Sequence, residues 1–260
     1  MDAFFVYLNQ IATPMKIAIF QTKLAWEQPE VNRKFIEEYF LNEEKAFNGS
    51  VGFTYKKGGF TATVDAYYIA VTDRIILTDN FTDQAILGPL NVDAAQFFAN
   101  GVDTKTTGLD IVLNYETMIG SGHTINVGLI GNLNNLEIEE IHNGDLNVYT
   151  FFGPFSQAYL QAAAPDYKFG LNMGYTYKKF NALLAITQFS EVELQDFQWV
   201  DTPATTPEEA EALYAVATDI YKAKAMVDLS LGYRFNDHLK LNIGANNLFN
   251  IYPTQQFDGW

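Results

Sequence analysis

Paired stretches of alternating apolar and polar residues, joined by very short turns and parted by very long connections, run through most of this sequence. In the first pair, Val51, Phe53 and Tyr55 alternate with Gly52, Thr54 and Lys56. Gly58-Gly59 turns the chain, because glycine adopts positive φ at little cost. Phe60, Ala62, Val64, Ala66 and Tyr68 then alternate with Thr61, Thr63, Asp65 and Tyr67. The same pattern recurs around turns at 120–122, 178–179 and 236–238. A period of two places one residue set on each side of a strand, so each pair reads as a hairpin with an oily face and a polar face.

The connections at about 79–101, 140–165 and 198–222 run to some twenty residues or more. Strict alternation of short and long connections is the habit of outer-membrane barrels, which have short inner turns and long outer loops. A sandwich would spread its loop lengths more evenly. The strands also reach the roughly 9–11 residues that a tilted membrane strand needs. Tyr55, Tyr67, Tyr68, Tyr115, Tyr175, Tyr177, Tyr233 and Phe235 stand near strand ends, where an interfacial girdle is expected. Composition agrees: aromatics are 15% of the 260 residues, while charged residues are only 18%. The expected fold class is all-β, an antiparallel up-and-down transmembrane barrel segment of about 8–10 strands.

Several functions are excluded early. The chain has no cysteine, which removes disulfide scaffolds, thiolate zinc sites and cysteine nucleophiles. A net charge of −15 argues against nucleic-acid binding. No nucleophile elbow or phosphate loop is present, so no enzyme and no cofactor is expected. His123, His142 and His238 are far apart, and the hairpin pattern separates them across the membrane, so no shared metal site is expected. Glu137, Glu139 and Glu140 form one acidic run, and Glu191, Glu193 and Asp196 another. They read as solvated strand extensions rather than calcium sites.

Two segments depart from the rhythm. Thr206, Pro207 and Glu209 form a helix-start signature, with Ala210, Leu213, Tyr214, Ala217, Ile220 and Tyr221 as its apolar stripe. Residues 1–43 stand apart and have no assigned place. Within them a strand over Met15–Trp26 and an amphipathic helix over Pro29–Leu41 are expected.

Three stretches carry a family resemblance: Asp73-Arg74-Ile75-Ile76-Leu77-Thr78, Asn100-Gly101-Val102-Asp103 through Asp110, and Gly244-Ala245-Asn246-Asn247-Leu248-Phe249-Asn250-Ile251-Tyr252-Pro253. In this order and spacing the sequence resembles the C-terminal barrel strands of TonB-dependent outer-membrane receptors, of the Bacteroidetes type. The likeness covers about Asn42 to Pro253, so residues 44–260 read as a partial receptor barrel. The resemblance implies a 22-stranded barrel in a Gram-negative outer membrane, filled by a plug and driven by the TonB complex through that plug. It also implies uptake of an iron chelate, cobalamin or glycan, with outer-membrane lipid and a surface lipoprotein as partners. The pattern shows fewer strands than that barrel, with neither plug nor final strand, so this stretch alone is not expected to transport.

On this reading Asp65, Asp110, Asn114, Asn126, Asn132, Asn172, Asp228, Asn242 and Asn246 line a hydrated lumen. The loop aromatics Phe97, Phe98, Tyr149, Phe151, Phe152, Trp199 and Tyr214, together with Phe81 and Phe155, are candidates for ligand contact or for packing within the loops. Two alternatives stand beside it. One is a complete small barrel, porin-like or structural; the other is a soluble all-β binding module.

Overall fold

The computed structural model describes residues 3–15, 41–81, 96–195 and 204–255. Its strands are β1 (Ala3–Met15), β2 (Glu44–Lys57), β3 (Phe60–Leu77), β4 (Phe98–Ile119), β5 (His123–Ile141), β6 (Tyr167–Tyr177), β7 (Phe180–Phe189), β8 (Val192–Gln195), β9 (Thr218–Tyr221), β10 (Lys224–Arg234) and β11 (Lys240–Ala245). Among the described residues, three helices lie in the long connections: α1 (Val148–Phe151), α2 (Pro154–Gln161) and α3 (Pro207–Ala217). Among the described residues, no helix is long and apolar enough to cross a membrane.

Nine strands form one meander in the order β1-β2-β3-β4-β5-β6-β7-β10-β11, and every neighbouring pair is antiparallel. β8 and β9 form a separate ribbon inside the third long connection. The expected up-and-down topology holds, as do the tight turns at 58–59, 120–122 and 178–179. Gly58 and Gly120 adopt φ of 56° and 57°, the left-handed conformation those turns require. Among the described residues, β1 and β11 stand at the two edges and do not pair with each other.

Register fixes which residues share a face, since directly opposed residues point the same way. Tyr55, Ala62, Leu113, Leu129, Leu171, Ile186 and Val227 form one cross-strand row. Phe60, Tyr115, Val127, Met173, Leu184 and Leu229 form the next. This apolar face carries aromatic residues at two heights. Phe47 and Tyr55 on β2, Tyr68 and Phe60 on β3, Tyr167 and Tyr175 on β6, and Phe169 and Tyr177 on β6 are each eight positions apart. At about 3.4 Å per residue, that is roughly 27 Å along a strand. A tilt near 40° brings it to about 20 Å along the membrane normal, close to the ~25 Å apolar band of outer-membrane barrels.

Within the lower row, near the short turns, His123 stacks on Tyr177 with centroids 3.9 Å apart, and its Nδ1 lies 2.8 Å from the Tyr175 hydroxyl. In the upper row Phe47 meets Tyr68 edge-on at 6.2 Å. Tyr67 departs from the expected girdle. It opposes Ser50 and Gly108, which puts it on the polar face.

The N-terminal segment also differs from expectation. A strand occupies Ala3–Met15 and pairs with β2 from Ala3↔Lys56 to Met15↔Glu44. Pro14 is tolerated there because β1 is an edge strand. Beyond Met15 the strand expected over 15–26 lies outside the described residues. So does the helix expected over 29–41, apart from Leu41, which is not helical.

The third connection holds its expected helix. Thr206 Oγ1 accepts the Glu209 amide at 3.2 Å, and Pro207 takes the first turn. Glu209 reaches back to the Thr205 amide at 2.9 Å, one residue beyond the expected reciprocal partner. The helix is shorter than its apolar stripe suggests. Ala210 and Ala217 are buried, but Ile220 and Tyr221 belong to β9.

Candidate functional site

The polar face and the layer of long connections above it are the regions able to meet a ligand. Register brings the polar set together. Asp65, Asp110, Asn132 and Lys168 form one row across β3 to β6. Asn114, Gly128, Asn172, Ala185 and Asp228 form another, and Asn126, Gly174, Leu183 and Ser230 a third. Asn181, Gly232 and Asn242 continue the face onto β11. Asn246 lies just past β11, in the bend that follows Ala245.

Local bonds organise this face. Asp65 and Asp110 are directly opposed, and the Asn132 Nδ2 donates to Asp110 at 2.7 Å. The Tyr67 hydroxyl donates to Asn134 Oδ1 at 3.1 Å. Lys168 sits over the Phe189 ring at 5.0 Å. Asp228 accepts the Asn247 amide at 2.7 Å and so anchors the turn after β11. Asn247 adopts φ of 50°, and its side chain bonds both the amide and the carbonyl of Ile251 at 2.8 Å. The Gly244–Pro253 stretch is thus a self-bonded reversal docked on β10.

At the long-loop end, the Asp73–Thr78 and Asn100–Asp110 stretches meet. The β3–β4 register slips between Val71 and Arg74, and Asp73 takes φ of 58° in the resulting bulge. Asp103 Oδ1 accepts the Asp73 amide and faces His142 Nε2, both at 2.9 Å. The Asn100 side chain donates to the Asp73 carbonyl at 2.6 Å and to the Asn42 carbonyl at 3.0 Å. The hydrogen bond to Asp103 raises the His142 pKa above its ordinary value. Partial burial opposes that shift, and the charges of Asp103, Glu140 and Asp73 add to it. Candidate ligand atoms of Asp73, Asp103 and His142 lie within 4.8 Å of one another. Sequence reasoning missed this cluster, although Asp73 and Asp103 both lie in stretches that carry the family resemblance. His123 and His238 lie at the short-turn end, far from it.

Above the bulge, the first two long connections share a small core of Ile76, Ala99, Val102, Phe151 and Phe152, with Phe81, Phe97 and Leu160 against it. Gly101 is required there: an added Cβ would lie 2.5 Å from Ile76 Cδ1 and 3.0 Å from Phe151. Asp79 ties the connections together by accepting the Gly153 amide at 2.7 Å and the Ser156 hydroxyl. Burial raises the Asp79 pKa, while the bonds from Ser156 and Gly153 pull it down.

This core claims several of the loop aromatics. Phe151 is fully buried and Phe152 nearly so, and Phe97 stacks on Phe81 at 5.3 Å. Their rings are engaged in packing within the loops. Tyr149 is half-buried, while Phe98 and Tyr214 are 37% and 45% exposed. Trp199 lies outside the described residues.

Between the second and third long connections is a cleft of about 500 Å³. Its walls are α2, the segment Ala164-Pro165-Asp166, the strand entry Glu191-Val192-Glu193, and Tyr214 of α3. The Tyr214 hydroxyl donates to Glu193 Oε2 at 2.8 Å. The volume falls in the range of small-molecule sites.

Known proteins share this architecture. The family model described as TonB dependent receptor-like, beta-barrel matches residues 28–248. No curated protein matches the chain. Among solved structures, the ferripyoverdine receptor of the Pseudomonas aeruginosa outer membrane is similar, with a TM-score of 0.55 at 13% identity. The match covers 96% of this chain and 28% of that receptor. The outer-membrane transporter YddB of Escherichia coli has a TM-score of 0.54 at 15% identity, over 82% of this chain and 30% of that one. The copper transporter OprC has a TM-score of 0.54 at 13% identity, over 98% and 32%. At these identities the likeness shows the fold, and the chain spans about a third or less of each protein's length.

Proposed function

The chain belongs to the family of TonB-dependent receptor-like β-barrels, and from that premise we propose that it forms part of the wall of an outer-membrane uptake receptor of a Gram-negative bacterium. The apolar face meets lipid, and the polar face lines the lumen through which a ligand passes. The wall is C-terminal in a larger barrel, of Bacteroidetes type, and the TonB complex acts on it through a plug held against the polar face. The long connections face outward, capture the ligand, and offer a seat for a surface lipoprotein. Phe98, Tyr149 and Tyr214 are the aromatics placed to touch the ligand. The strands described cannot gate transport by themselves.

One observation carries this reading. Asp65, Asp110, Asn114, Asn126, Asn132, Asn172, Asp228 and Asn242 share one face, while the opposite face is apolar with aromatic residues at two heights. A soluble module would not leave such a face uncovered. A self-contained small barrel would need β1 to pair with β11. Its lumen would also be filled by side chains, whereas this face carries Gly52, Gly128, Gly170, Gly174, Gly232 and Gly244.

Fractionation of cells expressing the natural protein, with unboiled against boiled electrophoresis, tests the reading. Recovery in the outer membrane as a heat-modifiable species is expected. Recovery as a detergent-free folded monomer would overturn it.

A further inference from the structure

The lower rim of the apolar face, where β6, β7 and β10 reach their short turns, carries a pair of lysines without a counter-ion. Lys178 and Lys179 form the β6–β7 turn, and both are exposed. Their side chains part to either side of β7. Lys178 Nζ lies 4.9 Å from the centre of the Tyr177 ring on β6, and Lys179 Nζ donates to the Phe235 carbonyl, just past β10, at 2.8 Å. Among the described residues neither forms an ion pair, although Asp237 stands in the neighbouring turn. Just above the lysines the apolar face has a recess. Register sets Tyr175, Ala182 and Leu231 side by side, over the row of Tyr177, Phe180 and Tyr233. Ala182 is the floor. Tyr175 and Phe180, tilted together with centroids 6.3 Å apart, wall one side, and Leu231 walls the other. His123 holds the tyrosines in place, stacking on Tyr177 and bonding the Tyr175 hydroxyl.

Ammonium groups beside an apolar recess, at the edge of a lipid-facing wall, match a ligand with a phosphate at one end and hydrocarbon at the other. Interfacial tyrosines mark the headgroup level. A lysine held close to an anionic bilayer surface is worth a factor of about five in affinity. Lys179 has further N–H groups to offer beyond its bond to Phe235. From this rim up to the row of Leu129, Leu171, Ile186 and Val227, the apolar face of β5, β6, β7 and β10 presents no carboxylate to repel an anion. A zwitterionic lipid would bring its own cation to the lysines and gain less. We propose that this rim binds an anionic glycerophospholipid of the inner leaflet. The phosphodiester lies between Lys178 and Lys179, in front of Phe180, and an acyl chain lies over Ala182. The site rests on the barrel reading for its height in the membrane, and it adds the class of lipid and the place that holds it.

The test uses the natural protein reconstituted in phosphatidylcholine vesicles with a trace of spin-labelled phosphatidylglycerol or spin-labelled phosphatidylcholine. Electron spin resonance reads the share of each label held at the protein surface. Phosphatidylglycerol is expected to be held in several-fold preference at low salt, and less so at high salt. Lys178→Gln/Lys179→Gln should remove most of that preference. Lys222→Gln/Lys224→Gln, the same loss of charge at the long-loop end, should leave it unchanged. Ala182→Phe, which fills the recess and keeps both lysines, should reduce it with heat-modifiability intact. Equal holding of the two lipids by the natural protein would overturn the proposal. So would a preference that survives the lysine-turn variant or Ala182→Phe, an equal loss in the Lys222/Lys224 variant, or displacement of the labelled lipid by soluble glycerol phosphate. Absence of a held fraction for both labels would overturn the barrel reading as well, so failure of one is distinguishable from failure of the other.

Discussion

Tyr67 covers Gly108. The two residues are directly opposed on β3 and β4, and a Cβ added to Gly108 would fall 2.0 Å from Tyr67 Cζ and 2.6 Å from the Leu133 carbonyl oxygen. The ring fills the gap that glycine leaves in the pleat, and its hydroxyl reaches Asn134 on the next strand. An aromatic laid over a cross-strand glycine is a recognised way of supporting a curved sheet. Gly108→Ala should therefore destabilise the barrel by about 1–3 kcal/mol, as overpacking does. Tyr67→Phe, which keeps the ring and loses the hydrogen bond, should cost only about 1 kcal/mol. Urea unfolding in detergent micelles, followed by electrophoretic shift, gives both values. Equal losses would contradict this account.

The bulge at Asp73 makes the loop end sensitive to pH. His142 is held above its ordinary pKa first by the hydrogen bond to Asp103. The folded state thus binds this proton more tightly than the unfolded chain. The resulting stabilisation is complete below about pH 6.5, the unfolded value, and is lost as pH rises through the higher folded value. Asp103→Asn should lower the His142 pKa in an NMR titration of the ring protons. An unaltered His142 pKa in that variant would contradict the assigned cause.

Asp79 should behave differently. Burial raises its pKa, against the bonds from Ser156 and Gly153. Stability from this group is therefore greatest at low pH and declines as pH rises through the folded value. Asp79→Asn keeps an acceptor for the Gly153 amide and removes that decline. Asp79→Ala leaves the amide and the Ser156 hydroxyl without their acceptor and should cost about 1–3 kcal/mol in local stability. Hydrogen exchange of the 148–161 amides, compared between the two variants, measures the difference.

How much of the molecule is legible in its sequence follows from the range of the interactions. The hairpins from Val51 to Ala245 are local: period-two alternation and turns such as Gly58-Gly59 fix both register and face. Parity alone therefore assigns Asp65, Asp110 and Asn172 to one side. From the sequence Tyr67 reads as standing near a strand end, which suggests the girdle, but it lies in the middle of β3 and parity decides its face. β1 escapes detection because Asn9, Gln10 and Pro14 break its apolar run. It is held by pairing with β2, some forty residues away. The loop layer is opaque for the same reason. Asp79 meets Ser156 across 77 residues, and Asp103 meets His142 across 39. No local pattern announces such contacts. The burial of Phe151 and Phe152 depends on them.

Two adjacent residues on β6, Leu171 and Asn172, stand on opposite faces of the sheet and so face different media. The absence of native cysteine allows single-cysteine variants at both positions. With each variant labelled by an environment-sensitive fluorophore and reconstituted into bilayers, quenching by brominated lipid is the most direct test. Strong quenching at Leu171→Cys with little at Asn172→Cys is the expected result. Equal quenching at the two positions, or quenching at Asn172→Cys alone, would contradict the account.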